Sequence, residues 1–180
     1  MATFPGIPVS RRMRLLVGAA ASCALLLPLA AGAGGNLLVS VPGIKGTSTV
    51  LGFEQQIEAR SVSFSASAPN GAQPALGPIT VTKAIDDATA VFFDALAKGK
   101  IFPSVVINNV IQINGRIVAS ERYTLTNVKV TDHRIVDQAS NSGVRGTEQL
   151  TLVAAGLRME TIAYDPNTGA KAGSNIGSLP

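Results

Sequence analysis

Apolar residues recur at every second position through most of this chain, and twice the phase of that alternation flips within a single run. From Ser61 to Ala66, Val62, Phe64 and Ala66 share one parity and Ser61, Ser63 and Ser65 the other, yet Ile57 and Ala59 just upstream hold the opposite phase. Tyr123 and Leu125 likewise sit out of phase with Val128 and Val130. Successive side chains on a strand point to opposite faces. A strand that keeps one face buried through such a flip must therefore carry a bulge or sharp bend, the device that curves a sheet toward closure. The runs are rich in Val, Ile and Thr, which suits a half-buried pleated surface. A barrel is expected in preference to a flat sheet.

The run Val105 to Ile113 is apolar on both parities, with Val105, Ile107, Ile111 and Ile113 on one side and Val106 and Val110 on the other. Both faces want cover, from a helix and the core or from a subunit contact. One helix stands out: Asp86 or Asp87 can cap it, and Val91, Phe92, Ala95 and Leu96 form its apolar stripe. Lys98 suits the negative end of the helix dipole, and Gly99 suits the left-handed stop. The stripe is expected to pack on the barrel, with Phe93 to one side and able to reach a neighbouring subunit. Pro69 to Pro74, Ala139 to Gly146, and the Gly-, Asn- and Ser-rich tail from Asp165 read as loop.

Residues 1–33 read as an export leader, not as part of this domain. Arg11, Arg12 and Arg14 form a basic opening, Leu15 to Ala30 an uncharged apolar stretch, and Ala31-Gly32-Ala33 a small-x-small cleavage pattern. The mature chain then begins at Gly34 and forms one domain, 34–180, while Met13 is an alternative start. Ser10-Arg11-Arg12 faintly resembles a twin-arginine signal, but Arg14 stands where such signals carry an apolar residue. The competing reading is an uncleaved anchor, since the stretch approaches the ~20 residues needed to span a bilayer. Without the leader twelve basic residues face eleven acidic ones, a net charge of +1. The scattered Lys and Arg exclude a nucleic-acid groove. Cys23, the only cysteine, leaves with the leader, so no disulfide framework or thiolate metal site is expected.

An enzyme is disfavoured on residue types. His133 is the only histidine, and its neighbour Asp132 points to the opposite face of a strand, so the two do not form an oriented base pair. His133 reads as a solvent-facing strand histidine. No serine lies in Gly-x-Ser-x-Gly. Asp86-Asp87 and Asp132/Asp137 lack calcium-loop spacing. Glu54, Glu58, Glu121, Glu148 and Glu160 are scattered, so a carboxylate pair depends on the fold bringing two together. No cofactor and no metal are implied.

Five signatures follow in fixed order: Val41-Pro42-Gly43-Ile44-Lys45-Gly46-Thr47-Ser48, Thr80-Val81-Thr82-Lys83, a helix closing on Ala97-Lys98-Gly99-Lys100, a strand with Tyr123-x-Leu125, and a closing Tyr164-Asp165-Pro166 segment. In this order, from about Leu37 to Gly177, the chain resembles the haemolysin-coregulated protein (Hcp) family, the ring-forming tube subunits of bacterial type VI secretion. The resemblance implies a mainly β fold, a barrel of two curved antiparallel sheets with one flanking α-helix. It implies a structural protein and not an enzyme, self-association into rings, hexameric in the family, and secreted effector proteins as partners. The ring-stacking loop corresponds to Gly43 to Phe53, with Gly43, Ile44, Lys45, Gly46, Val50, Leu51 and Phe53 as contact residues. Phe93, Val106 and Val110 are expected at a subunit interface. Relatives often carry charge across this loop, whereas here nothing between Lys45 and Glu54 is charged. Its apolar Val50-Leu51-x-Phe53 tip either docks on a partner or folds back on its own barrel. Relatives also carry Trp in the strand equivalent to Val62 to Ser65, and Phe64 is expected to take that core place. A leader places the protein in the periplasm or outside the cell, with no membrane contact after cleavage. That leaves an exported ring subunit, a secreted monomeric β-barrel binding module that has lost the tube, or a ring held at the membrane by its leader.

Overall fold

A computed structural model describes residues 34–68, 73–137 and 146–179. The leader reading and most of two of the three loops expected from sequence lie outside these residues. The elements, in chain order, are β1 (Gly34–Ser40), β2 (Ile57–Ser63), β3 (Ala66–Ser67), β4 (Ala75–Leu76), β5 (Ile79–Ala84), α1 (Asp87–Ala97), β6 (Ile101–Ile113), β7 (Arg116–Asp137), β8 (Thr147–Val153), β9 (Gly156–Tyr164) and β10 (Lys171–Leu179).

Every ladder is antiparallel, and the strand order β10-β9-β7-β6-β1-β2-β5-β8 is closed by a further β7–β8 pairing. Six strands thus form a barrel, and β9 and β10 extend the wall outward from β7. The two expected curved sheets are one continuous sheet, because the 22-residue β7 belongs to both halves. It pairs with β9 from Ala119 to Thr126 and with β8 from Lys129 to Asp137. The short ribbon of β3 and β4 stands apart.

Both phase flips correspond to bends. In β2 the register against β5 shifts between Ala59 and Ser61. In β7 the flip falls at Asn127, whose φ is 49°, where the strand leaves β9 and takes up β8. The bend lets Leu125 and Val128, three residues apart, both point into the core at 1% and 0% exposure. Across the ladder, between the Phe102–Val128 and Ser104–Thr126 pairs, stands Pro103, which has no N–H to lose when the ladder opens. The β6–β7 connection is Asn114-Gly115, both at positive φ, the two-residue turn whose twist matches a hairpin.

Inside the barrel Val39, Ile57, Val81, Phe102, Val105, Ile107, Leu150 and Leu152 form one cluster with Phe92 of the helix. The helix stripe is turned slightly from expectation. Ala88, Phe92 and Ala95 are buried and Leu96 half-buried, while Val91 lies at the rim, 39% exposed. Phe64 is not a core residue; it is exposed and meets Tyr123 edge-to-face at 5.4 Å. The tail expected as loop is a strand from Lys171 onward, because β9 offers it a full ladder.

Asp86 caps α1. Its Oδ1 accepts the amide of Ala88 at 2.9 Å, and the Thr89 hydroxyl accepts the Asp86 amide at 3.0 Å, completing a capping box. The same Asp86 oxygen receives Lys83 Nζ at 2.6 Å. Asp86→Ala is therefore expected to cost about 1–2 kcal/mol of stability, measured by urea unfolding. Asp86→Asn, which keeps the acceptor, should recover part of it.

Candidate functional site

Three features concentrate the chemistry of this molecule: the loop between β1 and β2, a buried charge cluster beneath α1, and a cleft at one mouth of the barrel.

The loop opens with a tight turn. Pro42 and Gly43 occupy its centre, Gly43 at φ 79°, and the Ile44 amide bonds the Val41 carbonyl at 3.1 Å. It then doubles back on itself: Gly46 N–H donates to Gln55 O at 2.7 Å, Ser48 N–H to Gln56 O at 3.0 Å, and Gln55 N–H returns to Ser48 O at 2.9 Å. The two backbones approach so closely at Gly46 that a Cβ there would lie 2.3 Å from the Gln56 carbonyl oxygen and 2.4 Å from Ile57 Cα. The Lys-Gly signature is thus explained by space: only glycine fits. The tip turns with Phe53 N–H on Val50 O at 2.8 Å, Glu54 Oε1 accepts the Gly52 amide at 3.0 Å, and Leu51 stands 83% exposed. Its own backbone N–H, and after it the amide of Gly52, hold the Glu54 carboxyl below the usual carboxylate range. Val50, Phe53, Ile44 and Gly46 are half-buried, while Gly43 and Lys45 are exposed.

The loop lies against its own barrel. Asn108 Nδ2 donates to Gln56 Oε1 at 3.1 Å, and Leu51 shares a surface hollow with Gln112, Arg116 and Tyr164. Asn108, Val110 and Gln112 have one parity on β6, so the loop runs along that outer face. Leu38 and Val110 on the same side are 1% and 0% exposed. The second apolar face of β6 is therefore covered within the chain, and Val110 is not offered to a neighbour in this conformation. Val106 is half-buried. Phe93 is 61% exposed, its ring edge-to-face with His133 at 5.8 Å.

His133 is not solvent-facing. Its side chain is 6% exposed, and its Nε2 lies 2.6 Å from Glu148 Oε2. Glu148 is 0% exposed; its Oε1 receives Lys83 Nζ at 2.6 Å and the Thr89 hydroxyl at 2.9 Å. Lys83, also 0% exposed, places its three donors on Glu148, Asp86 and the Ala84 carbonyl. The cluster ties β5, β7 and β8 to the first turn of α1, and no buried side-chain nitrogen or oxygen among the described residues lacks a hydrogen-bond partner. Sequence reading missed it, although a signal was present. Ile79, Val81 and Lys83 share the inward parity of β5, and Glu148, Leu150 and Leu152 that of β8, so two opposite charges stood on buried positions.

This arrangement performs no evident proton chemistry. Glu148 faces a lysine and a histidine, the Asp86 carboxylate is bound to the same lysine, and the void that Lys83 helps to line is only about 10 Å³. Among the described residues no group of three or more His, Cys, Asp or Glu side chains could hold a metal ion, and no helix is long and apolar enough to cross a membrane.

Comparison with known proteins bears on family and fold. The family described as "Type VI secretion system effector, Hcp" matches residues 38–161. No curated protein matches the chain. Among solved structures, one described as a type six secretion system protein is similar over 81% of this chain and 93% of its own, at 19% identity and a TM-score of 0.69. A type VI secretion system effector from Yersinia pestis is similar at 14% identity, covering 79% and 98%, with a TM-score of 0.59. Hcp2 from Salmonella typhimurium is similar at 16% identity, covering 79% and 93%, with a TM-score of 0.57. At these identities the likeness is one of fold.

Proposed function

Because the chain belongs to the Hcp family of type VI secretion, whose members are structural proteins and not enzymes, we propose that it is a tube-type subunit that assembles with copies of itself into rings, hexameric by the family's pattern. In this reading the rings stack through Gly43 to Phe53 and carry effector proteins by weak, distributed contacts along the barrel wall. The observation that carries it is Leu51: an apolar side chain 83% exposed at the tip of a loop braced by its own backbone hydrogen bonds. A monomer gains nothing from holding leucine in water at that place, whereas a neighbouring ring can bury it. Phe93, exposed on α1, and the half-buried Val106 are assigned to contacts within the ring.

Leu51→Asp tests the stacking. Rings should persist, while stacks seen by electron microscopy and sedimentation at the wild-type stacking concentration should disappear. Unchanged stacks would sink the docking role of the loop.

Export belongs to this proposal through the leader pattern of residues 1–33. Native mass spectrometry of protein expressed from the full-length gene reads both points in one spectrum. Six copies of a chain starting near Gly34 support an exported ring. A cleaved monomer supports the second reading, a secreted binding module, which the loop's position against its own β6 favours.

A further inference from the structure

At a mouth of the barrel, on the face of β6 turned away from the loop, Leu37, Arg60, Phe64, Asn109, Glu121 and Tyr123 are among the residues lining an open cleft of about 450 Å³. A second hollow of about 510 Å³ continues over β7, β9 and β10, floored by small residues including Ala119, Ala163, Gly173 and Ser174. The two hollows adjoin at Glu121, and together they run across the strands with this carboxylate where they meet.

Glu121 is held in place from one side. Tyr123 donates its hydroxyl to Oε2 at 2.9 Å, and Asn109 Nδ2 donates to the same oxygen at 3.2 Å. Oε1 is left without a donor among the described residues. Beside it the edge-to-face pair of Phe64 and Tyr123 supplies aromatic surface, on which a cation is also favoured. The Tyr123 phenol is pushed up to about 12 by its burial, with the hydrogen bond to Glu121 and the negative charge of Glu121 adding to it. The only cation lining the groove is Arg60, and its Nη1 is engaged by the Thr147 hydroxyl on β8.

We infer that this groove binds an extended polypeptide segment of another protein, with a lysine or arginine side chain seated on Glu121 beside the Phe64–Tyr123 pair. The flat floor of Ala, Gly and Ser leaves room for a main chain. Asn109, Thr161 and Asn175 are polar groups along its course. The carboxylate supplies selectivity for a basic residue through a charge-assisted hydrogen bond. The inference stands on the groove itself and does not require ring formation.

The test uses the folded protein and two blocked pentapeptides, each with glycine and serine flanks, one with a central lysine and one with norleucine. In backbone amide NMR titrations the lysine peptide should shift residues around Asn109, Glu121 and Tyr123, with affinity falling as salt is raised. The norleucine peptide and the Glu121→Gln variant should each bind about tenfold more weakly, the worth of one charge-assisted bond. Tyr123→Phe, which keeps the carboxylate, serves as a second variant should Glu121→Gln fail to fold, and it should still prefer lysine over norleucine. Equal binding of the two peptides by the wild type, shifts confined to another face, or no shift at about millimolar peptide would each overturn the proposal.

Discussion

Replacing Lys83 with methionine is expected to cost about 3–5 kcal/mol of stability. The side chain is wholly enclosed and holds two carboxylates, Asp86 and Glu148, each at 2.6 Å. Methionine fills much the same volume, so no cavity accounts for the loss. What remains is a carboxylate with no exposure, still touched by Thr89 and His133 but stripped of its countercharge. Removing one partner of a buried pair is far more damaging than removing both, because the survivor keeps its full desolvation penalty. Lys83→Met combined with Glu148→Gln should therefore recover a large part of the stability lost by Lys83→Met alone. Urea unfolding of the single and double variants measures this. A double variant no more stable than Lys83→Met would mean that Lys83 acts by packing and not by charge.

Gly46→Val is expected to be harmful too, to stability and to assembly together, and for a reason that has nothing to do with charge. A Cβ at this position meets backbone atoms of Gln56 and Ile57, which cannot swing aside as a flexible side chain would. Ile57, 1% exposed, begins β2 and belongs to the core. The strain must be relieved by parting the loop's two arms, which breaks the bonds from Gly46 to Gln55 and from Ser48 to Gln56, or by shifting the start of β2. Overpacking of this kind costs about 1–3 kcal/mol, and the loop loses its braced shape. The expected result is a lowered thermal midpoint together with loss of stacking in the assay used for Leu51→Asp. Unchanged stacking with a lowered midpoint would separate the loop's shape from its role.

These two positions show how unevenly the molecule could be read from its residues. The phase flips at Ala59 and at Leu125 to Val128 announced the bends, because burial on one side of a strand leaves no other way to change parity. The helix was legible to its cap, since Asp86 and Gly99 sit where the physics of helix ends requires them. The stripe was misplaced only at Val91, one position off the buried line. Lys83, Glu148 and His133 were harder. Each is polar, and a polar residue in a strand is assigned outward unless its parity is checked against its neighbours. The pairing of Lys83 with Glu148 also depends on the ladder between β5 and β8, a contact across sixty-five residues of sequence. The tail was misread because Gly, Ser and Asn are poor strand formers on their own, and β10 exists only because β9 offers it hydrogen bonds. The groove around Glu121 was illegible for a similar reason: its lining comes from strands that register alone brings side by side. The Asn114-Gly115 hairpin signal was passed over, though it sets where β6 ends.

The order in which the strands meet carries a consequence for synthesis. Until β8 leaves the ribosome, β5 and β7 each present an open edge, and such edges recruit whatever strand is nearest. Once Val153 has emerged the wall can close on itself, since β8 bonds β5 on one side and β7 on the other. The final two strands join from outside and are not part of the seal. A chain of which only the residues before β8 have emerged is thus expected to be a sticky intermediate, while one that has cleared Val153 can close its barrel. The interval between these two points is when a holdase has most to do.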